Sequence, residues 1–189
     1  MKKLFSLLLA LTLALVPTLS LAEEDDTAAY QSIYNMLVEE LKSVDLEMET
    51  DDESFRVYLG AALDKNTLGD ADIILDAYSD AFTINVSYSN PIDESLVPQV
   101  VSFFNGVNST LYVGKLMVIK SNGVWYPAYE IFVSVNPDAI DAWDRNNVLA
   151  YTGLALDTLE EMVDYITELA NGETAENVFA MWQADIGAV

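Results

Sequence analysis

Cysteine and histidine are both missing from this 189-residue chain. Without cysteine there is no disulfide, so stability has to come from the core alone. Without histidine the chain lacks the side chain most used as a general base near neutral pH and the commonest zinc ligand. The two absences together remove Ser-His-Asp and Cys-His catalysis and ordinary zinc hydrolases. Positive charge is scarce as well: 8 Lys and Arg stand against 31 Asp and Glu, a formal net charge of −23. A surface of that sign repels phosphate backbones and anionic headgroups. Nucleic acid and membrane surfaces are therefore not expected partners, whereas basic peptides and divalent cations stay open. Long apolar runs are missing too, except Leu4 to Val16, which is shorter than the roughly 20 residues a spanning helix needs.

That run follows the basic head Met1-Lys2-Lys3 and precedes Ser20-Leu21-Ala22, which sets small residues at the −3 and −1 positions of a cleavage site. The layout is that of a secretory signal peptide over residues 1–22. The expected mature chain starts at Glu23 and is exported to the periplasm, cell wall or medium. Loss of Lys2 and Lys3 takes the formal charge from −23 to −25. The remaining length suits one domain with a real core.

Behind an acidic leader, residues 23–29, apolar residues at Tyr30, Ile33, Tyr34, Leu37 and Leu41 recur at helical spacing over about 27–43. Residues 43–54 are polar, with Leu46 and Met48 alternating with charges, and read as a connection with room for a short extended piece. Phe55, Val57 and Leu59 alternate with Arg56 and Tyr58 in a strand, and Ile73, Leu75 and Ala77 mark a second. Phe82, Ile84, Val86 and Tyr88 point inward from a third whose Thr83, Asn85 and Ser87 face water. Asn90-Pro91 ends it. A helix opening at Asp93 or Ser95 then carries Leu96, Val100, Phe103, Phe104 and Val107, with Pro98 tolerated in its first turn.

Two apolar runs between Leu111 and Val135 meet at Asn122-Gly123, the dipeptide that accepts the positive φ angles of a tight hairpin turn. The run before the turn offers Leu111, Val113, Met117 and Ile119, and the run after it Trp125, Tyr129, Ile131 and Val133. A long helix follows from Ala139 or Asp144 to Ala170, with Leu149, Leu156, Leu159, Met162, Val163, Ile166 and Leu169 as its stripe and Asn171-Gly172 at its end. Val178, Phe179 and Trp182 suggest a short helix in the tail, residues 171–189. The order α-β-β-β-α-β-β-α predicts an α+β fold: an antiparallel five-stranded sheet with helices packed on one face.

That order, the Gly114 to Val118 strand, the Asn-Gly turn, the Phe132-Val133-Ser134-Val135 strand end and a long helix with Leu149, Leu159 and Met162 resemble the YbjN-like family. The domains of that family have the fold of class I type III secretion chaperones. The resemblance spans residues 30–170 and implies a non-enzymatic protein-binding or regulatory domain, with no catalytic residue to carry over. Those chaperones are cytoplasmic and bind unfolded effector segments, so the export signal is a departure from the pattern.

No catalytic, cofactor or metal residue is assigned. Asp51, Asp52 and Glu53, and Asp70, Asp72 and Asp76, offer oxygen ligands for Ca²⁺, yet neither group has the Asp-rich loop with its distal Glu, and solvated loops explain them. Glu160, Glu161, Asp164 and Glu168 read as a polar helix face. Glu130, within an apolar strand, calls for solvent or for Arg56, Lys115 or Arg145. Among the aromatics Trp125, Tyr126, Tyr129, Trp143, Tyr151 and Trp182, the core claims Trp125 and Tyr129. Trp143 and Trp182, beside helix ends, are the candidates for exposure and partner contact. The expected function is an exported, non-enzymatic domain binding a polypeptide, with a homodimer as a further expectation. The alternatives are a carboxylate-pair hydrolase of polysaccharide and a Ca²⁺-dependent surface module.

Overall fold

The computed structural model describes residues 27–43 and 47–187. The signal peptide, the start of the acidic leader, Leu46 and the last two residues lie outside the described residues. Helix α1 covers 27–43 and buries Ile33, Tyr34, Met36, Leu37 and Leu41. The strands are β1 (Glu49–Asp51), β2 (Arg56–Ala61), β3 (Ala71–Ala77) and β4 (Ala81–Tyr88), followed by α2 (Val97–Asn108). The hairpin β5 (Lys115–Ser121) and β6 (Val124–Ser134), then α3 (Ala142–Ala170) and α4 (Ala175–Gly187), complete the chain. Among the described residues no helix is long and apolar enough to cross a membrane.

All pairings are antiparallel and the sheet runs β1-β2-β3-β4-β6-β5. It has six strands, not the expected five. The sixth, Glu49–Asp51, is too short and polar to show a period of two. It forms because Asp51 accepts the N–H groups of Glu53 and Ser54, folding the chain back so that Glu49 meets Tyr58 and Asp51 meets Arg56. Phe55 closes that turn at φ 54, a strained value for a bulky side chain. Its ring is held between Tyr30 and Tyr34 of α1, at centroid distances of 5.7 and 5.9 Å.

One sheet face is dry. Val57, Ile73, Leu75, Phe82, Ile84, Val86, Tyr88, Tyr129, Ile131 and Val133 are buried there in a single core with the helical stripes of α1, α2, α3 and α4. Helix α3 crosses β4 and β6, and the Tyr88 hydroxyl donates to the Leu159 carbonyl. Asp141 caps the start of α3 by accepting from the N–H groups of Trp143 and Asp144, and the Asp144 carboxylate returns the favour to the Asp141 N–H. The N-terminal half of α3 buries Val148, Thr152 and Ala155, a stripe too small and mixed to stand out by hydrophobicity; Leu149 and Leu156 are only half-buried.

The hairpin turns at Asn122 (φ 50) and Gly123 (φ 87), as the Asn-Gly step demands. Its first strand is shorter and faces the other way from the reading above. Leu111 and Val113 precede β5, and it is Leu116 that is buried, with Val118 half-buried on the same side; Met117 and Ile119 lie on the outer face. The shift arises at Gly114, at φ 71, where the Tyr129 ring passes so close that any Cβ would overlap it, while the Tyr129 hydroxyl donates to the Val113 carbonyl. Gly114→Ala should therefore cost about 3 kcal/mol, combining strain and overlap, against about 1 kcal/mol for Gly123→Ala, whose site is open. Paired urea titrations of the two variants check the ranking.

Burial pushes the Tyr88 phenol far above its ordinary range, and burial with a hydrogen bond to Asp185 does the same for Tyr165. The neutral phenols belong to the folded state, so their contribution is complete below the ordinary tyrosine value of about 10 and is lost as pH rises above it. Unfolding above that pH should coincide with a late, cooperative wave of phenolate absorbance. In Tyr88→Phe the late wave should shrink, at a cost of about 1 kcal/mol at neutral pH for the lost hydrogen bond.

Candidate functional site

The second sheet face has no helix over it: Gly60, Asp72, Ile119 and Phe132 are all exposed. Strand register sets its rows. One crosses all six strands as Glu49, Tyr58, Ile74, Asn85, Glu130 and Lys115. Beside it run Arg56, Asp76, Thr83 and Phe132 on one flank, and Gly60, Asp72, Ser87, Ala128 and Met117 on the other. Ile119 opposite Tyr126 extends the hairpin end. Phe132 is 62% exposed in the middle of a strand. Tyr58, Ile74 and Met117, in the other rows, are only half-covered, so the face mixes aliphatic, aromatic, amide and carboxylate groups.

The acidic residues singled out above have structural uses. Asp51 closes the β1–β2 turn, and the Ser54 hydroxyl and N–H hold its carboxyl below the usual range. Asp52 accepts from the Tyr34 hydroxyl of α1, and Asp76 pairs with Arg56. On α3, Asp164 pairs with Lys65 and Glu160 accepts the Lys65 N–H, tying the β2–β3 loop to the helix. Glu130 lies 3.9 Å from Lys115, one of the three partners expected for it. Among the described residues no three carboxylates converge on a point where a metal ion would sit. Glu47, Glu49 and Asp72 share the rim of an open concavity of about 670 Å³ beside Tyr58. All three are exposed, without the burial that general-acid work relies on.

Of the two tryptophans proposed for partner contact, Trp143 is 61% exposed at the start of α3. Trp182 is 5% exposed: it stacks on Phe179 at 5.7 Å within the core, because α4 packs its apolar side against α2 at Gly106. The two do not share a surface. Tyr129 is buried and Trp125 half-buried, as the core reading has them, and Tyr126 is on the open face. Phe132 was missed as a site residue. The signal was available, since inward Tyr129, Ile131 and Val133 force the phenyl between them outward.

The architecture is that of an α+β protein whose antiparallel sheet is open to solvent on one face. The fold is YbjN-like: the crystal structure of YbjN from E. coli matches 69% of this chain and 87% of its own with a TM-score of 0.50, at 10% sequence identity. No protein-family model matches the chain, and no curated protein does.

Because the acidic side chains are engaged or solvated, Ca²⁺ should act on this protein only as an ion that screens charge. Melting temperatures in Ca²⁺ and in Mg²⁺ at equal ionic strength should coincide; a rise specific to Ca²⁺ would restore the surface-module reading.

Proposed function

We propose that this chain is an exported, non-enzymatic domain that binds extended polypeptide on the open face of its sheet, in a chaperone-like or regulatory role. The observation that carries the reading is that face, with Phe132 projecting from β6 beside Thr83 and Glu130, and half-covered Tyr58, Ile74 and Met117 elsewhere on the same face. A large exposed aromatic in a strand interior gains nothing for the monomer and gives a partner an anchor. The similar YbjN structure is described as that of a candidate transcription regulator. A chain with 31 Asp and Glu against 8 Lys and Arg opposes direct contact with nucleic acid, so regulation here would act through a protein partner.

The test uses insulin, whose B chain unfolds and aggregates when its disulfides are reduced; with no cysteine, this protein is untouched by the reductant. Equimolar protein should delay the rise in turbidity. Phe132→Asp should abolish most of the delay while changing stability by only about 0.5 kcal/mol, as an exposed substitution does. No delay at several-fold excess of the wild-type chain would remove the reading.

A further inference from the structure

The acidic residues are unevenly spread. From Ser95 to Tyr129 there is no Asp or Glu, and the stretch carries Lys115 and Lys120. It comprises α2, β5 and the first part of β6, so an acid-free surface is built around one free sheet edge. Between α2 and β5 lies a groove of about 260 Å³ lined by Val101, Phe104, Asn105, Met117 and Val118 among others. A chain docked here meets mainly apolar side chains, amides and two ammonium groups, with Glu130 beside Lys115 as the nearest carboxylate.

The edge itself is partly closed. The Asn108 carboxamide, at the end of α2, accepts the Leu116 N–H and donates to the Leu116 carbonyl, both at 2.8 Å, which is how a neighbouring strand would bond that residue. Since outward-facing groups recur every second residue, the N–H and C=O of Val118 and Lys120 face the same edge, and among the described residues no bond outside the sheet takes them. Lys120 is held with its ammonium 4.6 Å from the centre of the Trp125 ring. Lys115, at 3.9 Å from Glu130, is beyond hydrogen-bond range.

We infer that β5 accepts an extended, carboxylate-bearing polypeptide segment as an added strand, bonded at Val118 and Lys120, bounded by Asn108 and matched in charge by Lys115 and Lys120. The inference rests on the polypeptide-binding reading and specifies where and to what chemistry it applies. At physiological ionic strength the net charge of the molecule is screened within about 8 Å, so the local ammonium groups decide the preference.

Three fluorescent peptides of one Thr/Val-alternating sequence test it by anisotropy: one with two Asp residues spaced like Lys115 and Lys120, one with Lys in their place, and one with the Asp pair and a central Pro. Wild-type protein should bind the Asp peptide about 10-fold more tightly than the Lys peptide, and the Pro peptide not at all. Val118→Pro removes only an N–H outside the ladder, so it should keep the fold and lose the peptide. Lys115→Gln with Lys120→Gln should erase the preference, a readout that does not depend on the proline variant folding. Equal or tighter binding of the Lys peptide, no binding of any peptide, or dimerisation abolished by Val118→Pro would overturn the inference. If the Phe132-dependent protection of insulin persists in those cases, only the β5 site falls; if the protection is itself absent, the broader reading falls.

Discussion

The structure depends on one dry sheet face. With no disulfide available, the inner side chains of β2, β3, β4 and β6 and the stripes of the helices have to supply the driving force for folding. Tyr88, like Tyr129, brings a polar end into this layer, and its hydroxyl is satisfied by the Leu159 carbonyl of α3. A carbonyl in the middle of α3 can accept a second bond because it has two lone pairs, so the helix loses nothing by providing it. Position of α3 over β4 is thereby fixed by a directional contact as well as by packing.

Cations are the second scarce resource, and their placement follows from scarcity. Arg145 of α3 reaches Glu39 and Glu40 of α1, Lys65 joins the β2–β3 loop to α3, and Arg56 spans β2 and β3. Each tie joins segments that are adjacent in space, two of them far apart in sequence. Exposed pairs of this kind are worth little singly. Their effect is to neutralise carboxylates where elements meet, so that repulsion among the acidic residues falls on solvent-facing surface rather than on contacts between helices and sheet. The same economy leaves α2 and β5 free of acid altogether, which sets that edge apart from the rest of the molecule.

Much of this was legible in the chain. The periods of two in 71–89, the Asn-Gly turn, Pro98 in the first turn of α2 and the Asn171-Gly172 stop all act through neighbours a few residues away, and each is found where local chemistry puts it; the start of α3, expected at Ala139 or Asp144, is set by the Asp141 cap. The misses share a cause. Strand β1 exists only because β2 is there to pair with, since in Glu-Thr-Asp the threonine alone favours extension. The facing of β5 was reversed because Gly114 and the Tyr129 ring, 15 residues apart, decide where the strand begins. Trp182, expected to be exposed beside a helix end, is buried because α2 presents a glycine to α4.

The sequence by itself determined the excluded chemistries, the α+β class and the identity of most inner residues, because composition and short-range periodicity carry that information. Only the tertiary structure decided that the wet face has no helix over it and that the acid-free residues 95–129 converge on a single sheet edge. Those are properties of surfaces, and a surface is assembled from residues whose proximity no local pattern records.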